Sequence, residues 1–165
     1  MECYATGLLR AHEVVNATVR LRFDALRHDP ELRRTHKLHG RYENTYIDLE
    51  RIQELQPVVN GALVYARLLL GRNSIKYGFW FNDMGPGSLT TLHTHEENDE
   101  LLSGVYYVNA PAYSGRLIIH RPGTPLTIEP KAGMFVFFAP ELPHEVDTNQ
   151  SDQHRLSVAF NFGAG

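Results

Sequence analysis

The chain has 165 residues, of which 42% are hydrophobic and 21% charged, a composition typical of a globular protein with a real apolar core. Its formal net charge of −3 gives no general attraction to nucleic acid or to anionic membrane surfaces. No segment approaches the roughly 20 consecutive apolar residues of a transmembrane helix. We therefore expect neither a nucleic-acid partner nor a membrane partner.

Cysteine use and the N-terminal segment bear on the cellular location. Cys3 is the only cysteine, so an intrachain disulfide and a cysteine-rich zinc site are both excluded. The segment MECYATGLLRAHE has no basic region followed by a long apolar run, which a secretory signal peptide would show. These features favour a cytoplasmic protein.

Apolar residues before Gly71 recur at the spacing of amphipathic helices. The first stripe predicts a helix that ends before Asp29-Pro30, and its apolar positions are Val15, Val19, Phe23 and Leu26. The second helical region begins near Asp48; Pro57 would break a continuous helix but suits the first residue of a new one, which runs to a C-terminal cap at Gly71. Its apolar positions are Leu49, Ile52, Leu55, Val59, Leu63, Ala66 and Leu70.

After Gly71, short apolar segments alternate with turn signals rich in glycine, proline and asparagine. Strands are predicted near residues 74–82, 89–95, 101–109, 115–120, 126–128, 134–139, 144–147 and 155–161. About eight short strands at this spacing predict a sandwich or barrel, with the helices packed on one outer sheet face. We expect a single domain, residues 1–165, with a helical N-terminal part (1–71) and a β core (72–165).

Three histidines form the strongest chemical signal. His93 and His95 are one residue apart, so on a strand their imidazoles point to the same face. His144 begins a later predicted strand. Imidazole suits iron, zinc, copper and nickel, and the three side chains predict a metal site. The remaining histidines are interpreted as surface or hydrogen-bonded residues, except for His120, which could line the barrel mouth or lie at the surface.

A second signal lies on the last predicted strand. Arg155 and Ser157 are two residues apart and face the same way. An arginine fork can bind a carboxylate with two hydrogen bonds, and a serine hydroxyl can assist. The pair therefore indicates a carboxylate-bearing cosubstrate beside the metal. The alternative is an arginine at a solvent-facing strand position.

The order His-x-His, His, Arg-x-Ser resembles that of the iron(II)/2-oxoglutarate oxygenase superfamily over residues 75–162. Four further segments resemble its prolyl-hydroxylase-like branch: LSGVYYV at 102–108, SGRL at 114–117, IEPKAG at 128–133 and PHEV at 143–146. A subgroup with His-x-His followed by Leu-Ser-Gly-Val-Tyr-Tyr is the most similar. The resemblance implies a mainly β fold, the double-stranded β-helix (jelly roll, cupin-like), with N-terminal helices packed on one sheet.

The resemblance also implies roles for particular residues. His93 and His144 would be iron ligands, Arg155 with Ser157 would bind the distal carboxylate of 2-oxoglutarate, and Tyr107 would hydrogen-bond the same cosubstrate. The implied activity is a dioxygenase that uses Fe(II), 2-oxoglutarate and O2 to hydroxylate an unactivated C–H bond. The substrate would be an amino acid, a peptide residue or another small metabolite, and a homodimer is a further expectation.

Position 95 departs from the family pattern, which has Asp or Glu as the second ligand. Three interpretations remain open. His95 ligates directly, or the motif is shifted so that Glu97 ligates and His93 is displaced, or Glu100 completes the site. We favour direct ligation because the most similar subgroup has the same His-x-His.

A cupin-type metalloprotein without 2-oxoglutarate is the main alternative. The spacing from Gly87 and from Gly133 fits the two cupin motifs. On this interpretation a dioxygenase, isomerase or binding protein holds one metal through His93, His95, Glu100 and His144. Arg155 favours the oxygenase, since a cupin does not require it. A second alternative is a non-enzymatic β-sandwich with an incidental metal.

Weaker hypotheses concern residues 28–46 and one tryptophan. The segment is polar and basic, and we interpret it as a solvated loop. Its basic cluster could instead cover the site and receive an acidic substrate; the members are Arg33, Arg34, Lys37 and Arg41. A flap at its end could supply substrate contacts from Tyr42, Asn44 and Tyr46. Trp80, on an inward-facing strand, is interpreted as a core residue.

Overall fold

The structure, a computed structural model, describes residues 4–95 and 99–165. Its strands are β1 Tyr4–Leu8, β2 Arg33–Leu38, β3 Arg41–Tyr46, β4 Ile75–Met84, β5 Thr90–His93, β6 Glu100–Asn109, β7 Leu117–Ile119, β8 Leu126–Ile128, β9 Met134–Phe138, β10 His144–Val146 and β11 Arg155–Ala164. The helices are α1 His12–Leu26 and α2 Gln56–Leu70, with the 3-10 turns Leu49–Arg51 and Gln53–Leu55 before α2. Within the described ranges, neither helix is long and apolar enough to cross a membrane.

Both helices form where the apolar periodicity predicts them. α1 buries Val19 and Phe23 on one side. α2 has Pro57 in its first turn and ends at Gly71, whose left-handed backbone (φ 61°, ψ 32°) lets its N–H donate to the carbonyl of Arg67. The helices pack on one face of the larger sheet, which confirms that prediction.

The strands form two antiparallel sheets. The larger has the order β1-β9-β6-β11-β4-β3-β2, and the smaller has the order β5-β10-β7-β8. Apolar side chains of the two sheets meet in a common core, with Tyr107 and Phe138 from the larger sheet and Leu117 and Ile119 from the smaller. This is the predicted double-stranded β-helix, and all eight strands predicted after Gly71 are present.

Strand β11 lies at the centre of the larger sheet and pairs with both β6 and β4. Because side chains alternate along a strand, its two faces have different surroundings. One face packs in the core beneath the helices, with Leu156, Val158, Phe160 and Phe162. The other face lines a cavity between the sheets, with Arg155, Ser157, Ala159 and Asn161.

The solvated loop expected at residues 28–46 is wrong, because most of this segment forms the hairpin β2–β3, joined to β4 at Thr45. Its turn is His39-Gly40, and both residues have positive φ (48° and 78°), as tight hairpins require. Two basic side chains bind backbone carbonyls instead of water. Arg34 donates to the carbonyls of residues 27, 29 and 32, and Arg41 to those of residues 83 and 89. Strand β1, which pairs with β9, was also not predicted.

Candidate active site

A cavity of about 530 Å³ lies between the two sheets and under the hairpin β2–β3. The three histidines line it together with Arg155 and Ser157 of β11. The structure therefore brings the two chemical signals of the sequence, the histidine cluster and the arginine-serine pair, to one place.

The histidines converge because of strand pairing. His93 ends β5 and His144 begins β10, and the two are direct cross-strand partners. His95 follows β5, and its backbone N–H donates to the carbonyl of Pro140 at 2.9 Å. One side-chain nitrogen from each histidine lies within 4.8 Å of the others. The Nε2 atoms of His95 and His144 are 3.1 Å apart.

Backbone carbonyls fix the ring orientation of two of these histidines. Nδ1 of His93 lies 2.6 Å from the carbonyl oxygen of Thr91, and Nδ1 of His144 lies 2.9 Å from that of Leu142. A carbonyl oxygen only accepts hydrogen bonds, so each Nδ1 carries the proton. The lone pair of each Nε2 is then available, which is the arrangement that metal-ligating histidines usually show.

Burial keeps two of the imidazoles neutral. Burial, together with smaller contributions from the neighbouring His93 and His36, lowers the pKa of His95 to about 4. The pKa of His144 falls to about 3, again chiefly through burial and then through His93. Since a metal binds only the deprotonated ring, both residues offer nitrogen donors at neutral pH without competition from protons.

The spacing of the cluster suits one metal ion. Two imidazole nitrogens at a right angle, each about 2.1 Å from a common metal, would be about 3 Å apart. The 3.1 Å between the Nε2 atoms of His95 and His144 matches this value. Three imidazole donors also fit iron chemically, since imidazole is a ligand that iron accepts.

Arg155 is a fully buried cation. Its side chain is 1% exposed, and one Nη donates to Ser157 Oγ at 3.3 Å. The guanidinium also lies over the ring of Tyr107, 5.0 Å from its centroid. Within residues 4–95 and 99–165, Nε of Arg155 has no hydrogen-bond partner, and no carboxylate forms an ion pair with the side chain.

Burial lowers the pKa of Arg155, but a guanidinium stays charged in proteins. A buried charge without a counterion is costly to the folded state. A carboxylate in the cavity would supply the counterion. This side of the cavity thus has the charge and the donors of an anion site.

Tyr107 completes this side of the cavity. It is the cross-strand partner of Ser157, and its hydroxyl is buried with no hydrogen-bond partner among the described residues. Burial raises the pKa of Tyr107, so the hydroxyl stays protonated and can donate. The orphaned hydroxyl and the orphaned Nε of Arg155 fit a cosubstrate with several acceptor oxygens.

The other residues singled out in the sequence differ in whether they line the cavity. Glu100 lines the cavity, whereas Glu97 lies outside the described residues. The interpretation of Trp80 as a core residue is wrong, because its ring lines the cavity and lies 5.5 Å from that of His95. His120 pairs with Glu145 at 2.7 Å and does not line the cavity.

The hairpin supplies the outer wall of the cavity. Asn44 and Tyr46 line it as the flap hypothesis expected, whereas Tyr42 is exposed and does not. Two further lining residues, His36 and Glu43, were not predicted as site residues. Their positions depend on the hairpin, whose strands have no apolar pattern that would predict them.

Fold and cavity together define a class of protein, a double-stranded β-helix in which a histidine cluster and a buried arginine face the same space. The family model described as "2OG-Fe(II) oxygenase superfamily" matches residues 79–163. The chain belongs to this superfamily. Its members require Fe(II), 2-oxoglutarate and O2, and the histidine cluster and buried arginine of this chain fit the first two of these groups.

Solved structures with the same fold include two prolyl hydroxylases. A Pseudomonas putida prolyl-4-hydroxylase is 20% identical with a TM-score of 0.74, and the match covers 99% of this chain and 93% of that one. A Trichoplax adhaerens prolyl hydroxylase, solved with a peptide fragment of the hypoxia inducible factor oxygen degradation domain, is 14% identical with a TM-score of 0.77, at 99% and 84% coverage.

A third similar structure shows that this fold also serves other reactions. The α-ketoglutarate-dependent epimerase SnoN from nogalamycin biosynthesis is 14% identical with a TM-score of 0.77, and the match covers 98% of this chain and 76% of that one. No curated protein matches the chain. Identities this low show the fold alone.

Proposed function

We propose that this chain is an Fe(II)- and 2-oxoglutarate-dependent hydroxylase acting on a C–H bond of a small molecule or peptide. His93, His95 and His144 would hold the iron. Arg155, Ser157 and Tyr107 would hold 2-oxoglutarate. The single observation that supports this best is the buried guanidinium of Arg155, which lacks a carboxylate partner in the described ranges and faces the same cavity as the histidines.

The roles of the residues follow from their contacts. Nδ1–H bonds to carbonyls hold the rings of His93 and His144 and leave the Nε2 lone pair of each ring available to a metal. Arg155 would offer its guanidinium to a carboxylate, and Ser157 and Tyr107, which are cross-strand partners on β11 and β6, would offer their hydroxyls from the same face. The apolar walls of the cavity, which include Val105 and Phe138, exclude water from the bound groups.

The bound iron, 2-oxoglutarate and O2 would supply the oxidising power for the substrate, with succinate and CO2 as coproducts. The protein's own contribution would be orientation of these groups and of the substrate. A substrate entering beneath the hairpin would meet Tyr46 and Trp80, whose ring centroids are 6.2 Å apart.

Turnover of 2-oxoglutarate tests the proposal directly. Protein loaded anaerobically with Fe(II) and then exposed to O2 should convert 2-oxoglutarate to succinate slowly even without a substrate. Arg155→Ala should weaken 2-oxoglutarate binding by roughly 100-fold, because it removes a charged hydrogen-bond donor worth about 3 kcal/mol, while metal binding persists. Arg72→Ala, which removes an exposed arginine after α2, is the control.

Absence of both 2-oxoglutarate binding and 2-oxoglutarate decay in the iron-loaded protein would contradict the proposal. The reaction type requires a separate measurement, since the fold also serves an epimerase. A gain of one oxygen atom in the product, measured by mass spectrometry with ¹⁸O2, would identify hydroxylation. An unchanged product mass would identify epimerisation.

The remaining parts of the proposal concern the protein's surroundings. A cytoplasmic location rests on the single cysteine of the sequence. The expectation of a homodimer rests on the frequent pairing of small β-helix domains. Light scattering of the purified protein would test it.

A further inference from the structure

The hairpin β2–β3 contacts the strand of His93 through a buried carboxylate. Glu43 on β3 is 6% exposed. Its Oε1 accepts a hydrogen bond from the backbone N–H of Thr91 at 2.8 Å, and its Oε2 accepts one from the hydroxyl of Thr91 at 3.0 Å. Both carboxylate oxygens therefore bind one residue of β5, which restricts both the position and the rotation of that residue.

Thr91 in turn orients the ring of His93. Its backbone carbonyl accepts the Nδ1–H of His93 at 2.6 Å. The three residues form a continuous chain of hydrogen bonds from the hairpin to the candidate metal ligand. If Thr91 moves, the carbonyl that sets the orientation of the His93 ring moves with it.

Strand β5 has limited pairing within its own sheet. It is the edge strand of the smaller sheet and pairs with β10 at only two positions, with an irregular register between them. Arg41, two residues before Glu43 on β3, holds the preceding segment by donating to the carbonyls of Asp83 at 3.0 Å and Leu89 at 3.1 Å. The hairpin therefore contacts both ends of residues 83–91, the segment that leads to His93.

We propose that Glu43 is a positioning residue for the metal ligand His93, acting through Thr91. This inference rests on the proposed role of His93 as a ligand. Glu43 works through the geometry of its two hydrogen bonds, and its negative charge is not what the metal requires. A side chain of the same shape without the charge should therefore preserve most of the effect.

Binding of Co(II), followed by calorimetry and visible absorption, tests the proposal without any turnover. Glu43→Ala should weaken Co(II) binding about tenfold, as loss of outer supporting contacts commonly does, and should change the visible spectrum. Glu43→Gln should stay within about 1.5-fold of the unmodified protein, because its amide oxygen accepts the Thr91 N–H and its NH2 donates to the Thr91 hydroxyl.

Two control variants separate positioning from other effects. Asn16→Ala removes the hydrogen bond from Tyr106 on the helix side of the larger sheet, so it should lower the melting temperature without changing Co(II) affinity. Glu31→Gln removes the same charge just before the hairpin and should bind Co(II) normally.

The proposal is overturned if Glu43→Ala binds Co(II) like the unmodified protein, or if Glu43→Gln is as weak as Glu43→Ala. If Glu43→Ala does not fold, Thr91→Val replaces it, since it removes the hydroxyl but keeps the backbone N–H. About threefold weaker Co(II) binding is then expected, and unchanged binding overturns the proposal. His93→Ala tests the underlying assignment separately: normal Co(II) binding by that variant would contradict the proposed function itself.

Discussion

His93 and His144 are cross-strand partners, at the last position of β5 and the first position of β10. Their ring centroids are 4.3 Å apart. Directly opposed residues on antiparallel strands hold their Cβ atoms about 4.5–5.5 Å apart, so this register alone brings the two imidazoles together. A slip of one residue would turn His144 to the opposite face of the smaller sheet. The histidine cluster therefore depends on strand register as much as on the histidines.

Two adjacent tyrosines on β6 should respond in opposite ways to loss of their hydroxyl groups. The Tyr107 hydroxyl is buried without a protein partner in the described ranges, so Tyr107→Phe should leave the ligand-free protein equally stable or more stable by about 1 kcal/mol. The same variant should bind 2-oxoglutarate more weakly, by roughly tenfold. Urea unfolding and calorimetry would measure the two effects.

Tyr106→Phe is the matched control for that experiment. The Tyr106 hydroxyl donates to Asn16 Oδ1 at 2.7 Å on the helix side of the sheet. Its loss should destabilise the protein by about 1 kcal/mol and leave 2-oxoglutarate binding unchanged. A destabilised Tyr107→Phe with normal 2-oxoglutarate affinity would show that this hydroxyl has a structural partner and no role toward the cosubstrate.

The second metal ligand can be identified by comparing two variants. His95→Ala should lower Fe(II) or Mn(II) affinity by at least about 100-fold, since a direct ligand contributes more than its supporting contacts. Glu100→Ala should leave the affinity unchanged if the three histidines suffice. Metal loss in both variants would favour the cupin-type ligand set, and metal loss in Glu100→Ala alone would mean that Glu100 completes the site in place of His95. Titration of the metal-free proteins with Mn(II), monitored by electron paramagnetic resonance, gives both affinities.

The metal-free protein should lose stability as the pH falls below 6.5. The pKa values of His95 and His144 in the folded chain are about 4 and about 3, whereas an unfolded histidine titrates near 6.5. Between these values the unfolded chain binds protons that the folded chain excludes, so acid favours unfolding. At pH 5 each histidine should contribute a loss of about 2 kcal/mol.

His95→Gln should reduce this acid sensitivity by about half, because glutamine does not titrate. Urea unfolding at pH 7.5 and pH 5.0 in the presence of a chelator measures the difference. Equal acid sensitivity in His95→Gln and the unmodified protein would mean that His95 is protonated in the folded state.

Gly133 should tolerate no side chain. Its φ is +85°, and a Cβ atom there would clash with the ring of His12 at the start of α1. Gly133→Ala should therefore cost about 1–3 kcal/mol of folding free energy. Gly78→Ala, at an exposed strand position with open space around a new Cβ, should change stability by less than about 1 kcal/mol. Similar losses in the two variants would contradict the clash.

Local patterns predicted most of the β core. Strands β4 to β11 are short, largely apolar segments between clear turn signals, and α2 ends at its predicted glycine cap. Strands β2 and β3 lack such a pattern because their inner face is polar and hydrogen-bonded, as with Glu43, Arg41 and Arg34. Polar strands of this kind look like loops in a single sequence.

The residues of the candidate site also differ in whether a local sequence pattern predicts them. The three histidines and the Arg155-Ser157 pair were predicted because each group has its own short spacing, and the structure places both groups in one cavity. Glu43 had no comparable signal, since its partner Thr91 is 48 residues away in sequence. Trp80 was misjudged because an aromatic residue facing inward can line a cavity as readily as fill a core.

The two sides of the cavity are formed by strands that differ in how completely they are paired. Arg155 and Ser157 belong to β11, which is paired on both sides along most of its length, while His93 belongs to a short edge strand. Local opening should therefore be rare around Arg155 and frequent around His93, and hydrogen–deuterium exchange should show faster amide exchange in β5 than in β11. Addition of Zn(II) should slow exchange in β5 and leave β11 unchanged. Bound metal would in this way protect the edge strand from proteolysis.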